Sequence, residues 1–272
     1  MPDCIEFKIE VSDNTLKEIL IALLSAAGAD GFEEEKDLLK AFTPMEDYLE
    51  NSFEEIIEEN NLKYSKSIIK DRNWNQKWES DFKPVTIEDF CTIRASFHAP
   101  DVRVKHDIII TPKMSFGTGH HATTHMMVKA MAGLDYKDKN VFDFGTGTGI
   151  LAILAEKCGA QSITAIDNDE WSINNSIENF NLNNCHKILL SKQKEFIGDV
   201  IYDIILANIN RNIILQNLLQ IKQHLSGEGV VLLSGLLTGD EPVIVAEAAR
   251  NNLKLLEKSE MNGWICLTMV NG

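Results

Sequence analysis

The stretch that decides the fold is Val141-Phe142-Asp143-Phe144-Gly145-Thr146-Gly147-Thr148-Gly149, followed by an apolar segment and then by Ile163-Thr164-Ala165-Ile166-Asp167. This order predicts a strand, a glycine-rich turn, a helix and a second strand that ends in an acid. Glycine lets the backbone turn sharply and approach a ligand without a clashing side chain. An acid at the end of the next strand accepts hydrogen bonds from ribose hydroxyls. The sequence therefore predicts a site for a cofactor that contains a nucleoside.

The glycine spacing separates two classes of cofactor. A dinucleotide fingerprint requires glycine at position 150, where this chain has Ile150. The pattern Asp143-x-Gly145-x-Gly147-x-Gly149 instead resembles the first motif of class I S-adenosylmethionine-dependent methyltransferases. That resemblance implies that Asp143 lies near the methionine end of the cofactor and that Asp167 holds its ribose. A tight structural turn is the alternative, which the two acids in their strand-helix-strand context make less favourable.

Composition indicates a soluble cytoplasmic enzyme of two domains. A chain of 272 residues with 44% hydrophobic content is long enough for one large core and a smaller one. No apolar run approaches the roughly 20 residues of a membrane span, and the first residues lack an export signal. The five cysteines are widely spread without a Cys-x-x-Cys pair, which is typical of reduced thiols and not of a disulfide framework or a zinc site.

The formal net charge of −15 bears on the kind of partner. Phosphate recognition normally needs a basic face, so this charge argues against direct nucleic-acid recognition. An acidic surface would steer a basic protein substrate by long-range attraction, although solubility alone also accounts for it.

Residues 1–70 are predicted to form a small domain. The order of its elements is βαββαβ, which is typical of a ferredoxin-like α+β fold and by itself says nothing about function. The predicted elements are a strand at 4–11, a helix at 15–27, strands at 29–34 and 37–43, a second helix opened by Pro44 and a strand at 63–69.

Residues 71–84 are predicted to be a linker and residues 85–272 a catalytic domain. The linker carries Trp74 and Trp78, which we expect to pack on a neighbouring domain rather than to gate a pocket. Seven strands alternating with helices predict an α/β, doubly wound, mainly parallel sheet whose last strand returns antiparallel from a hairpin at Gly263. Those strands are predicted near 141–143, 162–167, 187–191, 201–207, 229–234, 254–260 and 263–270.

A third segment narrows the assignment. Met114-Ser115-Phe116-Gly117-Thr118-Gly119-His120-His121-Ala122-Thr123-Thr124 precedes a helix predicted to begin near Thr123. This segment resembles the signature of the PrmA family, the methyltransferases that modify a large-subunit ribosomal protein of the stalk base. The 21-residue step from Thr124 to Gly145 and the 22-residue step from Gly145 to Asp167 agree with that family. The resemblance covers nearly the whole chain and implies that the first domain recognises the substrate.

The resemblance also implies the site. Asn208 ends a predicted strand, where its amide carbonyl would orient a substrate amine beside the methyl group. Its alternative role is to cap the helix that starts near Arg211. After Asn208 the chain reads Ile209-Asn210-Arg211-Asn212, where many relatives have small residues and a proline. The expected cofactor-binding residues are Phe116, Gly117, Thr118, Gly119, Thr124, Asp143, Gly145, Gly147, Asp167 and Asn208.

The implied reaction transfers a methyl group from S-adenosylmethionine to lysine ε-amines, an N-terminal α-amine, or both, in a basic ribosomal protein. No residue is an obvious general base, and we assign none. His120, His121 and His125 lack the further ligands that a metal site needs, so no metal is expected. Two alternatives stay open: a methyltransferase of another target, such as RNA or a small molecule, and a binding module that has lost transfer. We expect a monomer.

Overall fold

The computed structural model describes residues 4–29, 31–45, 48, 52–69, 82–111, 119–196 and 198–272. The chain divides into two compact units, Met1–Trp78 and Glu79–Gly272. Trp74 and Trp78 of the predicted linker lie outside the described residues.

The first unit contains one four-stranded antiparallel sheet. The strand order is β2-β3-β1-β4, which together with the connectivity βαββαβ confirms the predicted ferredoxin-like fold. Its apolar core includes Phe7, which stacks on Phe53 with ring centroids 5.1 Å apart. The elements are β1 (Cys4–Glu10), α1 (Asn14–Ala26), β2 (Gly31–Glu35), β3 (Leu38–Pro44), α2 (Ser52–Glu59) and β4 (Tyr64–Ile69).

The prediction that Pro44 opens the second helix is wrong. Pro44 is the last residue of β3, where it stands opposite Cys4 of β1, and α2 begins at Ser52. The fixed φ of proline suits both the first turn of a helix and the end of a strand. Pairing with β1, a contact distant in sequence, decides between them.

The second unit is built on a seven-stranded sheet of order β10-β9-β8-β11-β12-β14-β13. The neighbours from β10 to β12 are parallel, while β14 runs antiparallel to both β12 and β13. This is the predicted doubly wound sheet, including the returning last strand. Its strands are β8 (Asn140–Phe144), β9 (Ser162–Asp167), β10 (Ile188–Lys192), β11 (Tyr202–Asn208), β12 (Leu225–Leu237), β13 (Leu253–Met261) and β14 (Trp264–Asn271).

Helices cover both faces of this sheet. Because successive strand residues point to opposite faces, Val141 belongs to one buried cluster and Phe142 to the other. The helices are α3 (Ala122–Met131), α4 (Ile150–Lys157), α5 (Glu170–Leu182), α6 (Arg211–His224) and α7 (Glu241–Arg250). The first cluster includes residues of α3, α4 and α5, and the second includes residues of α6 and α7.

A separate three-stranded sheet precedes α3. It consists of β5 (Val85–Ile87), β6 (Cys91–Ala95) and β7 (His106–Ile110), with β6 in the middle. The order of the large sheet reverses between β8 and β11, since the chain proceeds outward from β8 in one direction and then from β11 in the other. In an open α/β sheet, such a switch point forms a crevice at the carboxyl ends of the strands, where ligands bind.

Candidate active site

The glycine loop after β8 has a backbone that only glycine adopts easily. Gly145, Gly147 and Gly149 have φ values of 75°, 56° and 82°, all in the left-handed region. A Cβ atom on Gly145 would lie 2.3 Å from Cγ2 of Ile209, the residue that follows β11. Any side chain at this position would therefore strain the backbone and also collide with the neighbouring strand connection.

Asp167 at the end of β9 is held by the backbone on both sides. Its Oδ2 accepts a hydrogen bond from the N–H of Gly147 at 2.9 Å, and its Oδ1 accepts one from the N–H of Asp169 at 3.0 Å. An ionised carboxylate has about four acceptor positions, so two remain for a ligand. The loop and the acid predicted from sequence are thus joined directly, with the carboxylate facing the cavity.

Asp143 lies beneath the loop and is fully buried. Its Oδ2 accepts a hydrogen bond from the Thr146 hydroxyl at 2.6 Å, whereas its Oδ1 has no hydrogen bond of normal geometry to the described residues. Burial raises the pKa of this carboxyl to about 7, against smaller opposing effects of the Thr146 hydroxyl and the Ala152 N–H. A cation bound above it would favour the ionised form.

Asn208 ends β11 with its side chain against α3. Its Nδ2 donates to the hydroxyl oxygen of Thr124 at 3.3 Å, while its Oδ1 is buried and has no hydrogen-bond partner among the described residues. The capping role belongs to Asn210, whose side chain accepts from the N–H of Ile213 at 3.1 Å. Asn208 therefore keeps an acceptor that no helix end uses.

These groups converge on one cavity of about 770 Å³, within the usual range of ligand pockets. Of the predicted residues, Thr124, Gly145, Gly147, Asp167 and Asn208 line it. Gly119 and Asp143 are not part of the lining: Gly119 lies against Ile93, and Asp143 is buried beneath the loop. Phe116, Gly117 and Thr118 lie outside the described residues.

Sequence reasoning did not find the other polar residues of this cavity. Most of them directly follow β9 or β10 or lie on α6, so the carboxyl ends of the neighbouring strands were the available signal. The missed polar residues are Thr146, Thr148, Asn168, Ser172, Gln193, Lys194, Glu195, Asn210, Gln216, Asn217 and Gln220. The aromatic ring of Trp264 also lines the cavity.

The histidines of the segment before α3 have structural contacts. His121 is the N-terminal cap of α3, with the Thr123 N–H 3.4 Å from its Nδ1, and its ring packs edge-on against Trp264. The ring of His120 packs edge-on against Phe82. Within the described ranges, no group of three or more His, Cys, Asp or Glu side chains is arranged to hold a metal ion.

No helix in the described parts of the chain is long and apolar enough to cross a bilayer.

The residues present fit a cationic, ribose-containing cofactor. Asp167 lines the cavity and offers acceptors for ribose hydroxyls, and the glycines allow close approach of a ligand. The carboxyl of Asp143, buried beneath the loop, would act on a cation in the cavity through its charge and not by direct contact. S-adenosylmethionine combines these features. Fold and site together define a class I S-adenosylmethionine-dependent methyltransferase.

Comparison with known proteins identifies the family. The family described as ribosomal protein L11 methyltransferase (PrmA) matches residues 7–272, and the chain belongs to it. A ribosomal protein L11 methyltransferase of Porphyromonas gingivalis is 39% identical over 271 residues, which cover 95% of this chain and 92% of that protein. One from Chlorobaculum parvum is 41% identical over 254 residues, covering 88% of this chain and 86% of its own length.

A solved structure agrees with this assignment. The crystal structure of a ribosomal protein L11 methylase from Lactobacillus delbrueckii subsp. bulgaricus is 30% identical and superposes with a TM-score of 0.64. The superposition covers 70% of this chain and 98% of that chain. The resemblance drawn from the glycine loop and the segment before α3 is thereby confirmed.

Proposed function

We propose that this chain transfers methyl groups from S-adenosylmethionine to amines of ribosomal protein L11, at lysine ε-amines, at the N-terminal α-amine, or at both. The observation that carries the proposal is the buried, unpartnered Oδ1 of Asn208 at the carboxyl end of β11. A buried polar atom without a partner is rare, and an amine N–H would satisfy it. The family name of the relatives supports ribosomal protein L11 as the acceptor.

In this proposal, the cofactor lies along the carboxyl ends of β8 and β9. Asp167 accepts from the ribose hydroxyls, Asp143 balances the charge of the methionine end, and Gly145 and Gly147 admit the ligand close to the backbone. Thr124 supports the amide of Asn208 through its hydroxyl. When bound, S-adenosylmethionine supplies a methyl group attached to a positively charged sulfur, which is the electrophile.

The chain must then deliver a neutral amine in the correct orientation. A lysine of ordinary pKa, about 10.4, is mostly protonated at neutral pH and must lose a proton before it attacks. Transfer from water into a partly apolar cavity disfavours the ammonium form. Asn208 Oδ1 would accept an N–H of the neutral amine and so direct its lone pair toward the methyl carbon, about 3 to 3.5 Å away. We assign no general base.

The N-terminal residues 1–70 are proposed to recognise the protein substrate, with 71–84 as linker and 85–272 as catalytic domain. Residues 1–70 contain 17 Asp and Glu against 7 Lys and Arg, so a net charge of −10 out of −15 lies in this segment. Such a concentration of negative charge attracts a basic partner and disfavours RNA. We further propose that the enzyme is cytoplasmic, since its acceptor is a ribosomal protein, and that it is a monomer.

Intact mass spectrometry tests this function. Purified ribosomal protein L11 is incubated with the enzyme and S-adenosylmethionine, beside a ribosomal RNA control and an Asn208→Ala enzyme. We expect mass increments of about 14 Da per methyl group on the protein alone. Methylation of the RNA instead, or of neither molecule while cofactor binding is intact, would reject the proposed acceptor and leave another target as the answer.

A further inference from the structure

Helix α5 and its C-terminal cap residue, Asn183, carry three buried asparagines on one side. Asn175, Asn179 and Asn183 recur every four residues, and they are 1%, 0% and 9% exposed. Buried side-chain amides are nearly always hydrogen-bonded, and asparagine is a poor choice for a helix interior. One bond stays within the helix, from the Asn183 amide to the carbonyl of Asn179 at 2.8 Å, and the other bonds of the row reach outside it.

Two of the three amides bind the backbone at the end of β7. Asn183 accepts from the N–H of Ile109 at 3.0 Å and donates to the carbonyl of the same residue at 2.6 Å. Asn179 accepts from the N–H of Thr111 at 2.8 Å. Because β7 is the edge of its three-stranded sheet, these side chains take the place of a neighbouring strand.

Asn179 differs from Asn183 in having a second partner in the glycine loop. Its Nδ2 donates to the carbonyl of Thr148 at 2.8 Å. One turn earlier in α5, the Ser176 hydroxyl donates to the carbonyl of Gly147 at 2.7 Å. Phe180, which follows Asn179, packs against the loop: a Cβ atom on Gly149 would lie 2.4 Å from its ring.

A chain of hydrogen bonds thus runs from α5 through the loop to the ribose-binding acid. Gly147 receives the Ser176 bond at its carbonyl and donates its N–H to Asp167. Asn179 holds the carbonyl of Thr148, the residue after Gly147, so α5 fixes two successive carbonyls of the loop. Of these bonds, the one from Asn179 to Thr148 is buried, and a hydrogen bond in a low-dielectric interior is stronger than one exposed to water.

We infer that α5, chiefly through Asn179, positions the glycine loop for the cofactor by tying it to the end of β7. Asn179 is a positioning residue, because it acts through Thr148 and does not line the cavity. This inference rests on the proposed location of the cofactor over the loop. It adds a residue outside the loop that sets cofactor affinity.

The test compares Asn179→Ala with Asn183→Ala by calorimetric titration of S-adenosylhomocysteine into each full-length protein. Both variants remove buried amide bonds to β7, and both should lower the thermal unfolding temperature. We expect the Kd of Asn179→Ala to rise about tenfold, the effect of losing roughly one well-placed buried hydrogen bond, and that of Asn183→Ala to stay within about twofold. Steady-state kinetics should show a higher KM for S-adenosylmethionine in Asn179→Ala with kcat little changed.

Ser176→Ala provides a second variant that folds readily, since alanine favours a helix. It removes only the bond to Gly147, and its Kd should rise about threefold, less than for Asn179→Ala. Equal Kd values for Asn179→Ala and Asn183→Ala, or an unchanged Kd for Ser176→Ala, would overturn the inference. Asp167→Ala is titrated alongside: if it too binds normally, the proposed cofactor location is wrong, and if it alone is weakened, only the role of α5 is wrong.

Discussion

The amide nitrogen of Asn208 lies 3.3 Å from the hydroxyl oxygen of Thr124, a residue 84 positions earlier in the chain. This contact joins the end of β11 to the first turn of α3 and turns the carbonyl of Asn208 away from Thr124. The carbonyl oxygen stays buried without a partner. The site therefore contains a hydrogen-bond acceptor in a fixed position at the switch point of the sheet. Replacing Asn208 tests what this acceptor does.

Replacing Asn208 by alanine should impair transfer more than cofactor binding. Loss of the carbonyl removes the group that orients the amine, and misplacement of a reacting group lowers the rate about 100-fold. We expect kcat for ribosomal protein L11 methylation to fall by about this factor, while the Kd for S-adenosylhomocysteine changes less than about threefold. A variant with kcat near wild type would remove Asn208 from the catalytic step.

Replacing Asp167 by asparagine should weaken the cofactor. Both carboxylate oxygens accept a backbone N–H, from Gly147 and from Asp169, so an amide must turn its NH2 group toward one of these donors. The amide also loses the charge that strengthens bonds to ribose hydroxyls. We expect a Kd for S-adenosylhomocysteine that is about 10- to 100-fold higher, by calorimetric titration. Asp169→Asn is the matched control: it makes the same charge change two residues away on an exposed cap that asparagine fills equally well. Equal effects in the two variants would mean that net charge, not the position of Asp167, sets the affinity.

The pKa of Asp143 predicts a pH-dependent stability of the ligand-free protein. Folding raises this pKa from 3.8 to about 7, so the folded state holds the proton more tightly than the unfolded state. The resulting stabilisation is complete below about pH 3.8 and is lost as the pH rises to about 7. Asp143→Asn lacks this titration.

The measurement is the free energy of unfolding of both proteins from pH 4 to pH 8. As the pH rises, we expect the free energy of unfolding of the variant to increase relative to that of the wild type, by up to about 4 kcal/mol near pH 7. A difference between the two proteins that does not vary with pH would show that Asp143 titrates at its ordinary value.

Gly145→Ala should disturb the loop through contact as well as strain. Both Gly145 and Gly159 have positive φ, so alanine at either position costs roughly 1 kcal/mol of stability. Only at Gly145 does the new Cβ meet an atom, Cγ2 of Ile209, while nothing lies within 4 Å at Gly159. We expect Gly145→Ala alone to weaken S-adenosylhomocysteine binding, and Ile209→Ala in the same protein to restore part of it. No recovery in the double variant would point to backbone strain as the whole cause.

A protein beginning at Glu79 should bind cofactor without methylating the protein substrate. The buried clusters of the second unit contain no residue of the first, so the second unit has its own core. We expect the Kd for S-adenosylhomocysteine to match that of the full chain and methylation of ribosomal protein L11 to fall below detection by mass spectrometry. Undiminished methylation would reject the assignment of residues 1–70 as the substrate-recognition domain.

The sequence by itself determined the fold class and the centre of the site. Local periodicity and glycine spacing placed β8, the loop and β9, because strand alternation and positive φ are properties of neighbouring residues. The same reasoning located Asp167 and Asn208 at strand ends, and the topology brings those ends together. Pro44 is a residue that local reasoning misplaced. Its backbone preference suits both the start of a helix and the end of a strand, and pairing with β1 places it in β3.

The tertiary structure alone decided which side chains meet. Asn179 and Thr148 are 31 residues apart, and Asn208 and Thr124 are 84 apart, so no local pattern predicts either bond. The pKa of Asp143 likewise depends on complete burial, which only the packed loop and helix produce. Hydrogen bonding and desolvation depend on how close groups lie in space. The sequence gives only the order of the residues along the chain, and folding determines these distances.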